Sequence, residues 1–320
     1  MPRWIRFATL LAALAVWSPN SLRSAEPAPA AAAQATRESA FPPTLVQFAP
    51  AAQNPVFQGG SAGAWDQSLR ERGWILREQD GYHLWYTGYD GTREGQKKLG
   101  YATSPDGIAW TRFPANPIYQ EHWVEDMMIV PLGGTYYMFA EGLNDQAQLL
   151  TSTDKVHWQR RGTLDIRNVA GEPLAPGPYG TPTAWHEQDT WYLFYERGDQ
   201  AVWLATSRDL KVWKNVQDEP VLARGPEAHD RVMIALNQII KHDGLYYAYY
   251  HGTGTEVKPR IWNTDVAVSR DLIHWRKFNR NPLLPERDNR SSGILVHDGQ
   301  RWRLYTMHEQ INLYWNPVAE

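Results

Sequence analysis

Ser104-Pro-Asp-Gly-Ile-Ala-Trp110 is the first of four copies of one short pattern, Ser-x-Asp-x-x-x-Trp. The others are Ser152-Thr-Asp-Lys-Val-His-Trp158, Ser207-Arg-Asp-Leu-Lys-Val-Trp213 and Ser269-Arg-Asp-Leu-Ile-His-Trp275. They recur roughly every 55 residues, the length of a four-stranded propeller blade. An aromatic run stands ahead of each: His83-Leu-Trp-Tyr86, Tyr136-Tyr-Met-Phe139, Trp191-Tyr-Leu-Phe-Tyr195 and Tyr246-Tyr-Ala-Tyr-Tyr250, with a fifth at Trp302-Arg-Leu-Tyr305. Turn signals precede these runs, among them Asp80-Gly81, Gly133-Gly134, Asp243-Gly244 and Asp298-Gly299. Asp-Gly between apolar runs is a strong hairpin signal, and no stretch carries a convincing helical period. The expected fold is all-β: a five-bladed β-propeller of four-stranded antiparallel blades around a central funnel.

A third marker lies between units, at Asn54-Pro-Val-Phe57, Asn116-Pro-Ile-Tyr119, Glu219-Pro-Val-Leu222 and Asn281-Pro-Leu-Leu284. The copy at Asn54 precedes the first unit, so this segment is expected to complete the last blade and close the ring. The repeated Asp106, Asp154, Asp209 and Asp271 read as scaffold. Each caps a turn between outer strands and the following Trp packs between blades. One catalytic site would not need four copies. The pattern resembles the Asp box of sialidases, which is also structural.

Composition narrows the remaining choices. The formal net charge of -3 argues against a nucleic-acid surface, which needs a clustered basic excess. Arg3 and Arg6, followed by the apolar run Phe7 to Trp17, read as a signal peptide over 1–25, too short to span a bilayer. An Ala/Pro-rich linker is expected over 26–45 and the propeller over 46–320. The chain is thus expected to be secreted or periplasmic, with no membrane contact after cleavage; an uncleaved anchor is the rival reading. It has no cysteine, so the core must hold without disulfides. Its 16 Trp and 16 Tyr suit both sheet packing and stacking on sugar rings.

The innermost strands of a propeller line its funnel, so function is sought where blades differ. The segments just before those strands are polar and unlike one another: Trp65-Asp66, Val124-Glu-Asp126, Tyr179-Gly-Thr-Pro-Thr183, Ala235-Leu-Asn237 and Ser291-Ser-Gly293. Here Leu84-Trp-Tyr-Thr-Gly-Tyr-Asp-Gly91 and Leu99-Gly-Tyr-Ala-Thr-Ser-Pro-Asp-Gly107 resemble the five-bladed glycoside hydrolases related to families 43, 32 and 117. From about residue 54 to 315 the chain is similar to secreted bacterial propellers labelled glycosylases. The family 43 pattern implies three acids: a base Asp in blade one, an orienting Asp in blade two and an acid Glu in blade three. Asp66 is the candidate for the first and Asp126, within Glu125-Asp126, for the second. The third position departs, because Gly180-Thr-Pro182 stands where that pattern has Glu-Gly-Pro.

Hydrolysis without a metal needs one group to protonate the leaving oxygen and another to activate water or attack carbon. Glu141, Glu196 and His251 occupy matching ends of second strands in blades two, three and four, and are candidates for the missing acid. His308 and Glu309 hold the same place in blade five. Bland readings stand beside them: Glu141 and Glu196 as strand-end carboxylates paired to Arg197 or Arg231, and His251 as a hydrogen-bonded structural histidine. Thr181, Asn237 and Ser292 are expected to bind hydroxyls, and Trp65 or Trp123 either stack on a sugar or pack in the core. Carbohydrate is the expected partner and no cofactor is expected. There is no His-Glu-x-x-His and no calcium-type loop, although related propellers sometimes hold a channel cation such as calcium. Two alternatives stay open. A phosphorylase would need a basic funnel cluster, for which Arg197, Arg231, His229 and Arg290 are available. A non-catalytic glycan-binding propeller would explain the absent blade-three Glu.

Overall fold

The computed structural model describes residues 40–175 and 177–317, so the expected signal peptide and most of the expected linker lie outside the described residues. Five antiparallel sheets follow one another along the chain. Blade one is Ser68–Glu78, Gly81–Tyr89, Lys98–Ser104 and Thr111–Arg112; blade two is Glu125–Leu132, Thr135–Gly142, Gln146–Ser152 and Gln159–Thr163. Blade three is Thr183–Glu187, Thr190–Glu196, Ala201–Ser207 and Val212–Asn215, extended by Asp165–Arg167 and Leu222–Ala223. Blade four is Met233–His242, Leu245–Thr253, Trp262–Ser269 and Trp275–Lys277. Blade five has Ile294–His297, Trp302–Thr306 and Gln310–Trp315, and its outer strand, Ala49–Pro50, comes from the other end of the chain. The fold is the five-bladed β-propeller that the repeats predict.

Packing against the blades already includes residues 41–45, which fall in the expected linker. Leu45 and Val46 are buried, Phe41 packs against Phe278 with ring centres 4.8 Å apart, and Tyr249 donates to the Leu45 carbonyl at 2.7 Å. The Asn-Pro markers act as clamps on third strands. Asn54, Asn116 and Asn281 each accept from a strand N–H and donate back to the same residue's carbonyl, on Leu313, Tyr101 and Val266 respectively. Asn54 grips blade five, which closes the ring as expected.

The four Asp-box aspartates behave alike. Asp106, Asp154, Asp209 and Asp271 each accept two backbone N–H groups through Oδ1, at 2.8–3.3 Å. Three of the following Trp residues meet an aromatic ring of the preceding blade: Trp158 meets Trp85, Trp213 meets Phe139 and Trp275 meets Phe194, all edge-on at 5.8–6.3 Å. Such aromatic pairs add about 0.5–1.5 kcal/mol beyond their buried area.

Around the axis a different contact joins the blades. Arg72, fully buried at the blade-one inner strand, donates to the carbonyls of Asp126, Met127, Pro182, Leu236 and Asn237 and to Thr183 Oγ1, at 2.5–3.1 Å. These acceptors belong to blades two, three and four. Gln238 then clasps Leu295 of blade five through both of its backbone groups. Arg72→Met should therefore lower the unfolding free energy by more than about 3 kcal/mol, since it strands several buried carbonyls. Arg72→Lys should recover little, because an ammonium lacks the planar fork. Urea unfolding checks both.

Candidate active site

Each inner strand begins with an irregularity that turns a side chain toward the axis. Glu71, Asp126, Thr181 and Ser292, one each from blades one, two, three and five, all have φ between 44 and 53°. The left-handed region is costly for residues other than glycine, and bulges of this kind re-aim side chains. Blades one, two and four lose register here, between Arg70 and Trp74, Glu125 and Met128, and Leu236 and Gln238. The result is a funnel cavity of about 870 Å³.

Seven of the residues proposed from sequence line it: Asp126, Glu141, Thr181, Glu196, His251, Ser292 and His308. Two more stand directly behind the wall. Glu125 accepts from Arg70 Nε at 2.5 Å, and Asn237 Oδ1 lies 2.7 Å from His251 Nδ1. Three lie elsewhere. Arg197 lays its guanidinium over the Trp203 ring at 4.3 Å and donates to Tyr195. Trp65 stacks on Tyr86 in the blade-one wall.

Asp66 is the third, and its surroundings explain why. It accepts from Tyr86 Oη at 2.9 Å and Arg112 Nε at 2.8 Å, while Asn116 donates to the same Tyr86 oxygen. Blade four repeats the group. Asp230 accepts from Tyr250 Oη at 3.1 Å and Lys277 Nζ at 2.5 Å, with Asn281 donating to Tyr250. A Cβ on Gly88 would sit 2.6 Å from Asp66 Cβ, and one on Gly252 would sit 2.7 Å from Asp230 Cβ. Asp66 is thus a repeated wall element, and the separation of 20 residues between aspartate and tyrosine in both blades was the signal available in the sequence. The carboxylate that blade one contributes to the cavity is Glu71, inside the charged run Arg70-Glu71-Arg72. The cavity also contains Asp145, Asp199, Lys258 and Arg260, which sequence reasoning missed.

Electrostatics divides the carboxylates into two kinds. Burial pushes Asp126 well above its ordinary pKa, and the Glu71 charge adds to this. Glu141 is raised by burial and then by Asp126, and Glu196 is raised to about 8 by burial and the nearby Asp199. Asp199 itself reaches about 6, again through burial first and then Glu71. Glu71 goes the other way: burial opposes ionisation, yet His308, with Nδ1 at 3.3 Å, and Arg70 hold it at about 2. Burial lowers His251 to about 4, which leaves a neutral imidazole whose Nδ1 faces Asn237.

Gly180 makes the closest approach possible. Thr181 N–H donates to Glu141 Oε2 and Gly180 N–H to Glu196 Oε1, both at 2.9 Å. A Cβ on Gly180 would lie 2.4 Å from each of those oxygens. The glycine where the family pattern has a Glu-Gly-Pro thus brings two carboxyls from adjacent blades onto one turn. Two acidic groups could hold a cation. Glu125, Glu141 and Asp145 bring one oxygen each within 4.8 Å of one another, as do ligand atoms of Glu78, Asp80 and His83. Arg70 already supplies positive charge at the first and Lys155 at the second.

No protein-family model matches the chain. It is 26% identical over 224 residues to the 1,2-beta-oligomannan phosphorylase of Thermoanaerobacter sp. (strain X514), covering 64% of this chain and 72% of that one. Among solved structures, a glycosyl hydrolase from Bacteroides ovatus matches with a TM-score of 0.67 at 15% identity, over 85% of this chain and 94% of that one. A structure from the GH130 family of mannoside phosphorylases, described as containing glycoside hydrolases that target β-1,2 mannosidic linkages in Candida mannan, matches at 0.64 and 15%, over 85% and 96%. The neighbours are five-bladed propellers of the glycoside hydrolase kind, and both hydrolases and phosphorylases occur among the relatives.

Asp66→Asn and Asp230→Asn should each cost about 1–3 kcal/mol of stability, as expected for losing one anchor of a buried network. Glu196→Gln should behave oppositely. A carboxyl whose folded pKa is raised contributes stability below its unfolded value near 4.5 and loses it as pH climbs toward 8. The Gln variant should therefore gain on the wild type across that window, by thermal unfolding at stepped pH.

Proposed function

We propose that this chain is an exported glycoside hydrolase, secreted or periplasmic, that cleaves oligosaccharides in the propeller funnel. The observation that carries the reading is the opposed pair of carboxyl types around one cavity. Glu196, near pKa 8, holds a proton at neutral pH and is the group to protonate a leaving glycosidic oxygen. Glu71, held near 2, is ionised and is the group to take a proton from water. Glu71 here takes the role that the family pattern implied for Asp66. Glu141 shares the Gly180 turn with Glu196 and is the alternative acid, and Asp126 lies beside both the base and the acids to position the sugar. An acid is thus available although blade three lacks the expected Glu, which weakens the binding-module reading.

Hydrolysis is favoured over phosphorolysis by which residues line the cavity. Six carboxyl groups line it, Glu71, Asp126, Glu141, Asp145, Glu196 and Asp199, beside Arg70, Lys258 and Arg260. None of Arg197, Arg231, His229 and Arg290, the cations expected to serve phosphate, is among its lining residues. Phosphorolysis stays as the second reading because the oligomannan phosphorylase is a relative and three other cations do reach the cavity.

The deciding measurement is product release from β-1,2-linked manno-oligosaccharides and a panel of plant and algal oligosaccharides, with and without phosphate. Wild type should release product without phosphate, and Asp126→Asn should be slower by about 100-fold or more. Product that requires phosphate would establish the phosphorylase, and binding without any product would establish a binding module. If Glu196 is the acid, the alkaline limb of kcat should fall near pH 8. Asp199→Asn removes a charge that raises Glu196, so it should move that limb to lower pH.

A further inference from the structure

Beside the acidic funnel lies a recess of opposite character. It has a volume of about 510 Å³, is lined by Arg70, Arg93, Lys97, Trp123 and Lys258, and shares Arg70 and Lys258 with the main cavity. No carboxylate is among these lining residues. We infer that this recess receives an anionic group carried by the glycan itself, a uronate carboxylate or a sulfate ester; the inference rests on the reading of the funnel as a glycan site.

Lys97 is the main reason. Its residue is 1% exposed, yet no carboxylate forms an ion pair with it among the described residues. Its ammonium donates to the Gly95 carbonyl at 2.6 Å and sits 4.1 Å from the Tyr89 ring centre and 4.5 Å from that of Trp123. Burial, and then the neighbouring Arg70, push its pKa down, against a weaker pull the other way from Glu125, Asp90 and Glu94, none of which contacts it. Arg93 and Lys258 also lack an ion pair among the described residues, whereas Arg70 is matched by Glu125 at 2.5 Å. A buried cation with no anion in contact is costly, and an oxyanion placed among these three groups would relieve it with charge-assisted hydrogen bonds.

Trp123 indicates what carries the anion. An aromatic ring face beside the cations suits the C–H face of a pyranose, and 510 Å³ is room for a sugar unit. A free phosphate ion would use neither the ring nor most of the space. Because the adjoining funnel is rich in carboxylates, an acidic sugar is accepted in one orientation, with its charge on the recess side. The recess would then set substrate direction as well as affinity.

Calorimetric titration of the full chain reads this preference without turnover. The probes are oligogalacturonides, glucuronate-bearing xylo-oligosaccharides and sulfated galacto-oligosaccharides, each paired with its carboxyl-reduced or desulfated counterpart. At least one acidic probe should bind about tenfold more tightly than its neutral partner, with the difference shrinking as salt rises. Arg93→Gln, an exposed substitution outside the main cavity, should reduce that preference severalfold. Lys97→Met, with its fold checked by thermal unfolding, should abolish it. Equal affinity across every pair overturns the inference, as does a preference untouched by both variants. So does inorganic phosphate that occupies the recess and is required for turnover of a neutral glycan. Preferential binding of acidic glycans with no cleavage would sink the hydrolase reading alone. Cleavage of neutral glycans with no acidic preference would sink this inference alone.

Discussion

One guanidinium ties together four of the five blades. A propeller blade is stable against its neighbours mainly through side-chain packing, and that packing weakens toward the axis, where strands converge and leave little room for large residues. Arg72 meets this constraint with directed bonds in place of bulk, reaching the starts of three neighbouring inner strands from blade one. A planar fork with five N–H donors is the side chain that can serve so many carbonyls at once. Burial lowers its pKa to about 10, which still leaves it charged at neutral pH, with Asp126 and Glu141 favouring that charge.

That buried charge conditions the chemistry above it. The carbonyls that Arg72 holds belong to Asp126, Pro182 and Asn237, which stand at or next to the residues that form the funnel floor. Their inner strands cannot relax away from the left-handed conformations at Asp126 and Thr181 without breaking those bonds. Positions that are strained when taken alone are thus over-determined by the tie beneath them, and strain held in this way is common at functional sites. The carboxyls it projects are desolvated together, which is why most of them rise and why a single ion-paired member, Glu71, can fall.

The fold was legible because its signals repeat. Turn, aromatic run and Asp-box Trp recur at blade spacing, and each copy answers to the same local physics of hairpin, cap and ring contact. The site was only half legible for the same reason. Glu141, Glu196, His251 and His308 could be placed, since they continue regular second strands past the last aromatic residue. Glu71 could not: it sits in a charged run with a bulge of its own, and pattern alone reads Arg70-Glu71-Arg72 as a solvated edge. Asp66 attracted attention because it precedes the first hairpin, as a family base would. Only the three-dimensional match with Asp230, down to the glycine that leaves room for each aspartate's Cβ, reveals it as wall.

The same division explains how one scaffold can hold both an acidic funnel and a basic recess a few side chains apart. Charges that recur from blade to blade are neutralised locally, as Asp66 is by Arg112 and Asp230 by Lys277. Charges that occur in one blade are paired case by case, as Glu71 is with His308, or are left without an ion pair among the described residues. Lys97 stands in blade one and Lys258 in the loop of blade four, and each is left facing space that a ligand can fill. In a protein assembled from copies, an uncompensated charge marks where the copies were made to differ. Where such cations border a recess that adjoins a funnel lined by carboxyl groups, the substrate they fit is neutral along most of its length and anionic at one end.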